Sequence, residues 1–168
     1  MTQTDRLYSP HFFRVFAATC LTMTGVSMQY HFGEYVNYVG FGVGQLGLIT
    51  GVGAVGSIFL RPYAGAWIDR VGCRPCFLAA SSAAAVANVS FQFADTFWTI
   101  CLLRVLLVAS TATFLTTVAV YAAHAAPPQR RAESLGTIGI GGFLGMMIGP
   151  AIGDAIFAQG HPSADAFR

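Results

Sequence analysis

The sequence contains no lysine, and all nine of its basic residues are arginine. Charge of either sign is scarce: 10% of the 168 residues are charged, against about 25% in an ordinary soluble domain. So few charges cannot cover a water-facing globular surface. The net charge of +2 comes without any basic patch interleaved with aromatics, which excludes a nucleic-acid partner. No Ser/His/Asp or Cys/His arrangement and no phosphate-cradling glycine loop occurs, which argues against an enzyme. Cysteine is sparse too. Cys20 and Cys101 fall inside apolar runs, where a thiol serves as a small hydrophobe. Cys73 and Cys76 have C-x-x-C spacing, but a zinc site needs two further ligands and the neighbouring residues supply none. No metal or cofactor is expected. No cleavable leader is expected either, since Met1 to Arg14 is polar and mixed and the apolar run after it is long for a signal peptide.

What the chain does have is apolar surface. It is 55% hydrophobic with a mean hydropathy of +0.61. About 20 consecutive apolar residues cross a bilayer as a helix, and five stretches qualify. They run from about Phe12 to Phe32, Val43 to Ala66, Pro75 to Phe93, Phe97 to His124 and Leu135 to Ala158. The fold class expected is an all-α membrane protein, with residues 1–168 as one helical domain. The connections alternate. Arg6 and Arg14 precede or open the first span, Arg61 and Arg70 flank the second connection, which ends in Arg74, and Arg130 and Arg131 occupy the fourth; the first and third connections hold no arginine. Basic residues mark cytoplasmic ends, so the N-terminus is expected in the cytoplasm. Abundant alanine with no lysine is the composition of a GC-rich bacterial genome, which points to a bacterial inner membrane.

Four groups of residues carry more specific information. The run Gly65 to Pro75 is the one charge-dense stretch between two long apolar segments. Asp69 there can accept hydrogen bonds from Arg70 or Arg74, or from the N-terminus of a neighbouring helix, and so form a breakable latch; the alternative is a solvated loop that only sets topology. In the fifth span Gly136, Gly145, Gly149, Pro150 and Gly153 recur, and Gly141 joins Gly145, Gly149 and Gly153 in a four-residue repeat that makes one smooth helix face. Pro150 removes a backbone donor and loosens the helix. Gly47, Gly51 and Gly56 along the second span suit close packing in the same way. Arg104 lies about seven residues from the outer end of the fourth span, roughly 10 Å deep at 1.5 Å per residue. An arginine at that depth either reaches outward to water or has a functional partner. Asp154 is either a satisfied residue near the outer surface or an ionisable group in a pathway, and its position near the span's end favours the surface. Gln29, Tyr30, His31, Asn37, Asn88, Gln92 and Tyr121 are further polar residues in or near spans.

Gly65, Asp69, Arg70, Gly72 and Arg74 resemble motif A of the major facilitator superfamily, the signature between its second and third helices. Trp67 stands where that family usually has leucine and Cys73 where it usually has a base, which implies a weaker latch. The glycines and Pro150 of the fifth span resemble motif C of proton-coupled drug exporters, with Asp154 in place of a closing glycine. Leu103 to Leu106 resembles motif B around Arg104, with Leu107 and Val108 replacing the usual Gln and Gly. Ala126 to Glu133 resembles the link between helices four and five.

The resemblance covers the first five helices of a family that normally has twelve in two six-helix halves. It implies a secondary transporter of a hydrophobic or amphipathic small molecule, coupled to a proton and efflux-like. It also implies a requirement for a C-terminal half or another membrane chain. The expectation of another class is a truncated or degenerate membrane protein without transport of its own.

Overall fold

The computed structural model describes residues 8–160, and these contain helices and no strand. Six α-helices occur in order: α1 Pro10–Ser27, α2 Phe32–Tyr38, α3 Val43–Val71, α4 Cys73–Ser90, α5 Phe97–Ala125 and α6 Arg131–Gly160. Four segments are long and apolar enough to cross a membrane: Val43–Val71, Cys73–Phe93, Phe97–Ala125 and Pro128–Ala155. The first expected span is divided. α1 begins at a Ser9-Pro10 start, where the Ser9 side chain accepts from the Phe12 N–H at 3.2 Å. It ends at Ser27, and the 3-10 turn Met28–His31 leads into α2. Thr24 and Ser27 hydroxyls bond carbonyls four residues back, which loosens the last turns of a helix.

The second connection is tighter than its charge suggested. α3 runs past Ala66 to Val71, with the Gly72 N–H still donating to the Ile68 carbonyl at 2.9 Å. The break is Gly72 alone, at φ 89°, a left-handed backbone that glycine adopts without a Cβ clash. Pro75 then falls in the first turn of α4, where no helical N–H is needed. Asp69 and Arg70 therefore sit on the last turn of a helix rather than in a loop, and Arg70 suits its negative end. At the other basic connection, Ala126 is extended before Pro127 and Pro128, and α5 stops one residue earlier.

α5 is the central helix. It packs against α3, α4 and α6, while α1 lies along α6. Two apolar clusters fill the bundle. One, at the end holding Ala94, joins Phe32, Val36, Ile49, Phe91, Ile100 and Leu107. The other, at the basic end, joins Phe12, Met23, Ala80, Phe114, Val118 and Ile138. Alanine faces on α4 (Ala80, Ala84, Ala87) let α5 approach closely.

Candidate functional site

Helix α5 carries Arg104 to the wall of an open cavity of about 590 Å³, shared with Gln29, Tyr30, Thr111, Met146 and Pro150. Arg104 Nη1 donates to Gln29 Oε1 at 2.8 Å. Its guanidinium carbon stands 4.3 Å from the Phe32 ring centre, within cation–π range. Its Nε is buried and has no hydrogen-bond partner. The side chain has room because Gly53 of α3 faces it: a Cβ there would come 2.8 Å from Arg104 Cγ. Arg104 therefore does not simply reach outward to water. It is held on a neutral amide and an aromatic face.

Arg61 lines the same cavity, and the sequence reading missed it. That reading counted Arg61 among the charges flanking the second connection, yet it lies within the expected span and eleven residues before Gly72, roughly 16 Å along a helix. Depth along the helix was the available signal. Arg61 is exposed and makes no hydrogen bond or ion pair with any described residue.

The glycine repeat of α6 lies against α1. A Cβ on Gly145 would meet the Cys20 carbonyl and sit 2.9 Å from Thr24 N; one on Gly149 would meet Ser27 Oγ and sit 2.6 Å from the Thr24 carbonyl. Gly141 faces Phe16 and Gly153 faces Met28, whereas Gly136 faces nothing. The Ser27 hydroxyl also lies 3.1 Å from the Gly145 carbonyl, and shares its one proton between that acceptor and acceptors on its own helix. Of the three glycines expected to pack along α3, Gly56 does so and the other two do not, while Gly53 joins it. Gly47 and Gly51 face open space, while Gly53 and Gly56 meet Arg104 and Val105. The face is displaced because Gly53 and Gly56, three apart, share the stripe turned toward α5.

At the basic end Asp69, Arg70 and Arg74 are all exposed, and none forms an ion pair or side-chain hydrogen bond among the described residues. The expected internal latch from Asp69 to Arg70 or Arg74 is not formed. Gly72 ends α3 so soon after Asp69 that Arg74 belongs to the next helix, and Asp69 and Arg70, adjacent on one helix, do not face each other. The pairing at this end is instead between Arg130 and Glu133, with Nη2 at 2.7 Å from Oε1, and the Tyr8 hydroxyl donates to the same carboxylate at 2.8 Å. These groups precede the apolar run that starts at Leu135. They hold the Glu133 carboxyl down to about 2, the Arg130 bond contributing most. Cys76 is fully buried and Cys73 partly so, both as free thiols.

At the opposite end Asp154 is exposed and bonded to His31 Nε2, while His31 Nδ1 lies 2.8 Å from Glu34 Oε2. This tie links α6 to the turn after α1. Nearby the Tyr35 hydroxyl lies 2.7 Å from both the Phe91 and Ala94 carbonyls and donates to one at a time. Asn88 bonds the Ala84 carbonyl of its own helix, and Tyr121 lines a separate cavity with His11, Arg14 and Arg74.

The family model described as Major Facilitator Superfamily matches residues 11–164. No curated protein and no solved structure gives a match.

Proposed function

The chain belongs to the Major Facilitator Superfamily, and we propose on that footing that it serves a proton-coupled secondary transporter that exports a small molecule from a bacterial cytoplasm. Membrane transport is the superfamily's activity; coupling, direction and location are our reading. The observation that carries it is Arg104, an arginine about 10 Å into the bundle, beside an open cavity, with one neutral amide as its hydrogen-bond acceptor among the described residues. A charge kept there at a cost is a functional group by default. In this reading the basic end faces the cytoplasm.

Transport by this fold is the rocking of one helix bundle against another around a site between them. The described helices make one bundle, so a second must face it, in the same polypeptide or in another membrane chain. Asp69, Arg70 and Arg74 then act across that boundary. Unpaired within this bundle, they are free to bond the facing one when the cytoplasmic side is shut and to release it when that side opens. The glycine seam of α6 holds α1 as one unit during the movement.

The test is proton movement, above that of protein-free liposomes, in proteoliposomes holding this chain with the bundle that faces it, under an imposed pH gradient when an amphipathic probe such as 4-phenylbutyrate or 4-phenylbutylamine is added. Flux is expected, with Asp69→Asn lowering it about tenfold, the worth of one charge-assisted hydrogen bond. If Asp69→Asn and Gly149→Leu both left the flux intact, the reading would fail.

A further inference from the structure

Two guanidinium groups face one cavity, and no carboxylate lines it. Arg104 projects from α5 opposite Gly53, and Arg61 lies eight residues beyond Gly53 on α3, about 12 Å further along the helix. Among the described residues the only hydrogen-bond acceptor that Arg104 has is the neutral Gln29, and its buried Nε has none. Arg61 has no acceptor among the described residues. The nearby carboxylates are engaged elsewhere, since Glu34 and Asp154 both bond His31. The rest of the wall is largely apolar, with Leu107, Val108 and Met146 prominent.

From this we infer that the cavity takes an amphipathic organic anion, with a carboxylate or similar head held between Arg61 and Arg104 and an apolar body laid against α5 and α6. Three physical points support it. Two uncompensated cations near the middle of a membrane bundle are costly, and a bound anion removes that cost. Guanidinium groups bind carboxylates with two parallel N–H donors, and Arg104 has a donor to spare. A cationic ligand would meet repulsion from both arginines and find no carboxylate on the wall. The inference rests on the transport reading and narrows its substrate to one charge class.

The experiment is binding of 4-phenylbutyrate and of 4-phenylbutylamine, equal in body and opposite in charge, to the full chain purified in a neutral maltoside detergent. Binding is followed by ligand-dependent thermal stabilisation. Phenylbutyrate should stabilise the protein and phenylbutylamine should not. Arg61→Gln should weaken phenylbutyrate about tenfold, and Arg61→Lys, which keeps the charge but not the paired donors, should recover part of the loss. Arg61 is the variant of choice because it has no partner inside the bundle, so its loss leaves the fold intact; Arg104→Gln should act in the same direction. Equal binding of the amine, or phenylbutyrate binding unchanged in Arg61→Gln, overturns the inference. Binding of neither probe also overturns it and leaves the arginines to pair with carboxylates of another helix bundle. Binding is read apart from flux. Phenylbutyrate bound but never moved would sink the transport reading and leave this inference standing. Amine flux insensitive to Arg61→Gln would do the reverse.

Discussion

The bundle has two glycine-lined seams, and they are built differently. Along α1 and α6, Gly145 and Gly149 face backbone at the Cys20 carbonyl, Thr24 N and the Thr24 carbonyl, with the Met23 and Ser27 side chains beside it. Along α3 and α5, Gly53 and Gly56 face side chains, Arg104 and Val105. Backbone cannot turn aside, whereas a side chain can change rotamer at modest cost. The first seam is therefore a fixed joint. The second is a slot that positions one charged side chain and lets it move. Glycine repeats look alike in a sequence whichever of these they serve.

Substitution separates the two. Gly145→Leu should have the largest effect of any change considered, about 3 kcal/mol or more, because its side chain drives into α1 backbone that has nowhere to go. The check is the fraction of folded protein after detergent extraction and heating. Gly53→Ala should cost less, about 1–2 kcal/mol, since Arg104 can rotate, but rotation breaks the 2.8 Å bond to Gln29. It should therefore depress ligand binding more than it depresses stability. Equal stability losses at the two positions would remove the distinction between joint and slot. Gln29→Leu sharpens it further. Arg104 would lose its one acceptor while keeping its place, at about 1–3 kcal/mol for an unsatisfied buried donor, read in the same melting assay.

How much of this was legible follows from where each signal resides. The apolar runs and arginine-bearing connections gave the long helices, because length and hydropathy are local properties. Gly141, Gly145 and Gly149 were readable as a packing face from their four-residue repeat, and the structure puts α1 on that face. What lies opposite was not readable, since backbone-on-glycine and side-chain-on-glycine seams have the same spacing. Arg61 was misplaced because it was counted with the loop charges, although helix depth was available from the sequence. Asp69, Arg70 and Arg74 were readable as a group from proximity in sequence, but the sharp break at Gly72 puts Arg74 on the next helix, and no bond joins them among the described residues. The Arg104–Gln29 pair spans 75 residues, and nothing local joins them.

The fixed joint has a polar tie at its far end. His31 stands between Glu34 and Asp154, both acceptors when ionised. An imidazole donates from both nitrogens only when protonated, so the tie is complete at acidic pH and loses one arm as the ring deprotonates. Stability of the wild type should fall as pH rises through the imidazole range, and His31→Gln should flatten that dependence. The effect is smaller than that of the glycine variants because the carboxylates are exposed. An unchanged slope in His31→Gln would show that the glycine contacts alone hold α6 to α1.

The smallest effect belongs to the opposite end of the same joint, where Glu133 opens α6. Its carboxyl is depressed to about 2, first by the Arg130 hydrogen bond and then by that of Tyr8. A group whose folded value lies below its ordinary 4.5 adds stability that is fully present above 4.5 and is lost as pH falls toward about 2. The site is fully exposed, so solvent screens the interaction and the gain is slight. Wild type and Glu133→Gln should therefore differ a little in melting temperature above pH 4.5 and converge near pH 2. Raised salt should shrink that difference by screening the Arg130 pair while leaving the Gly145 contact with α1 untouched. A salt-insensitive difference would place Glu133 among the packing contacts of the joint instead of its surface charges.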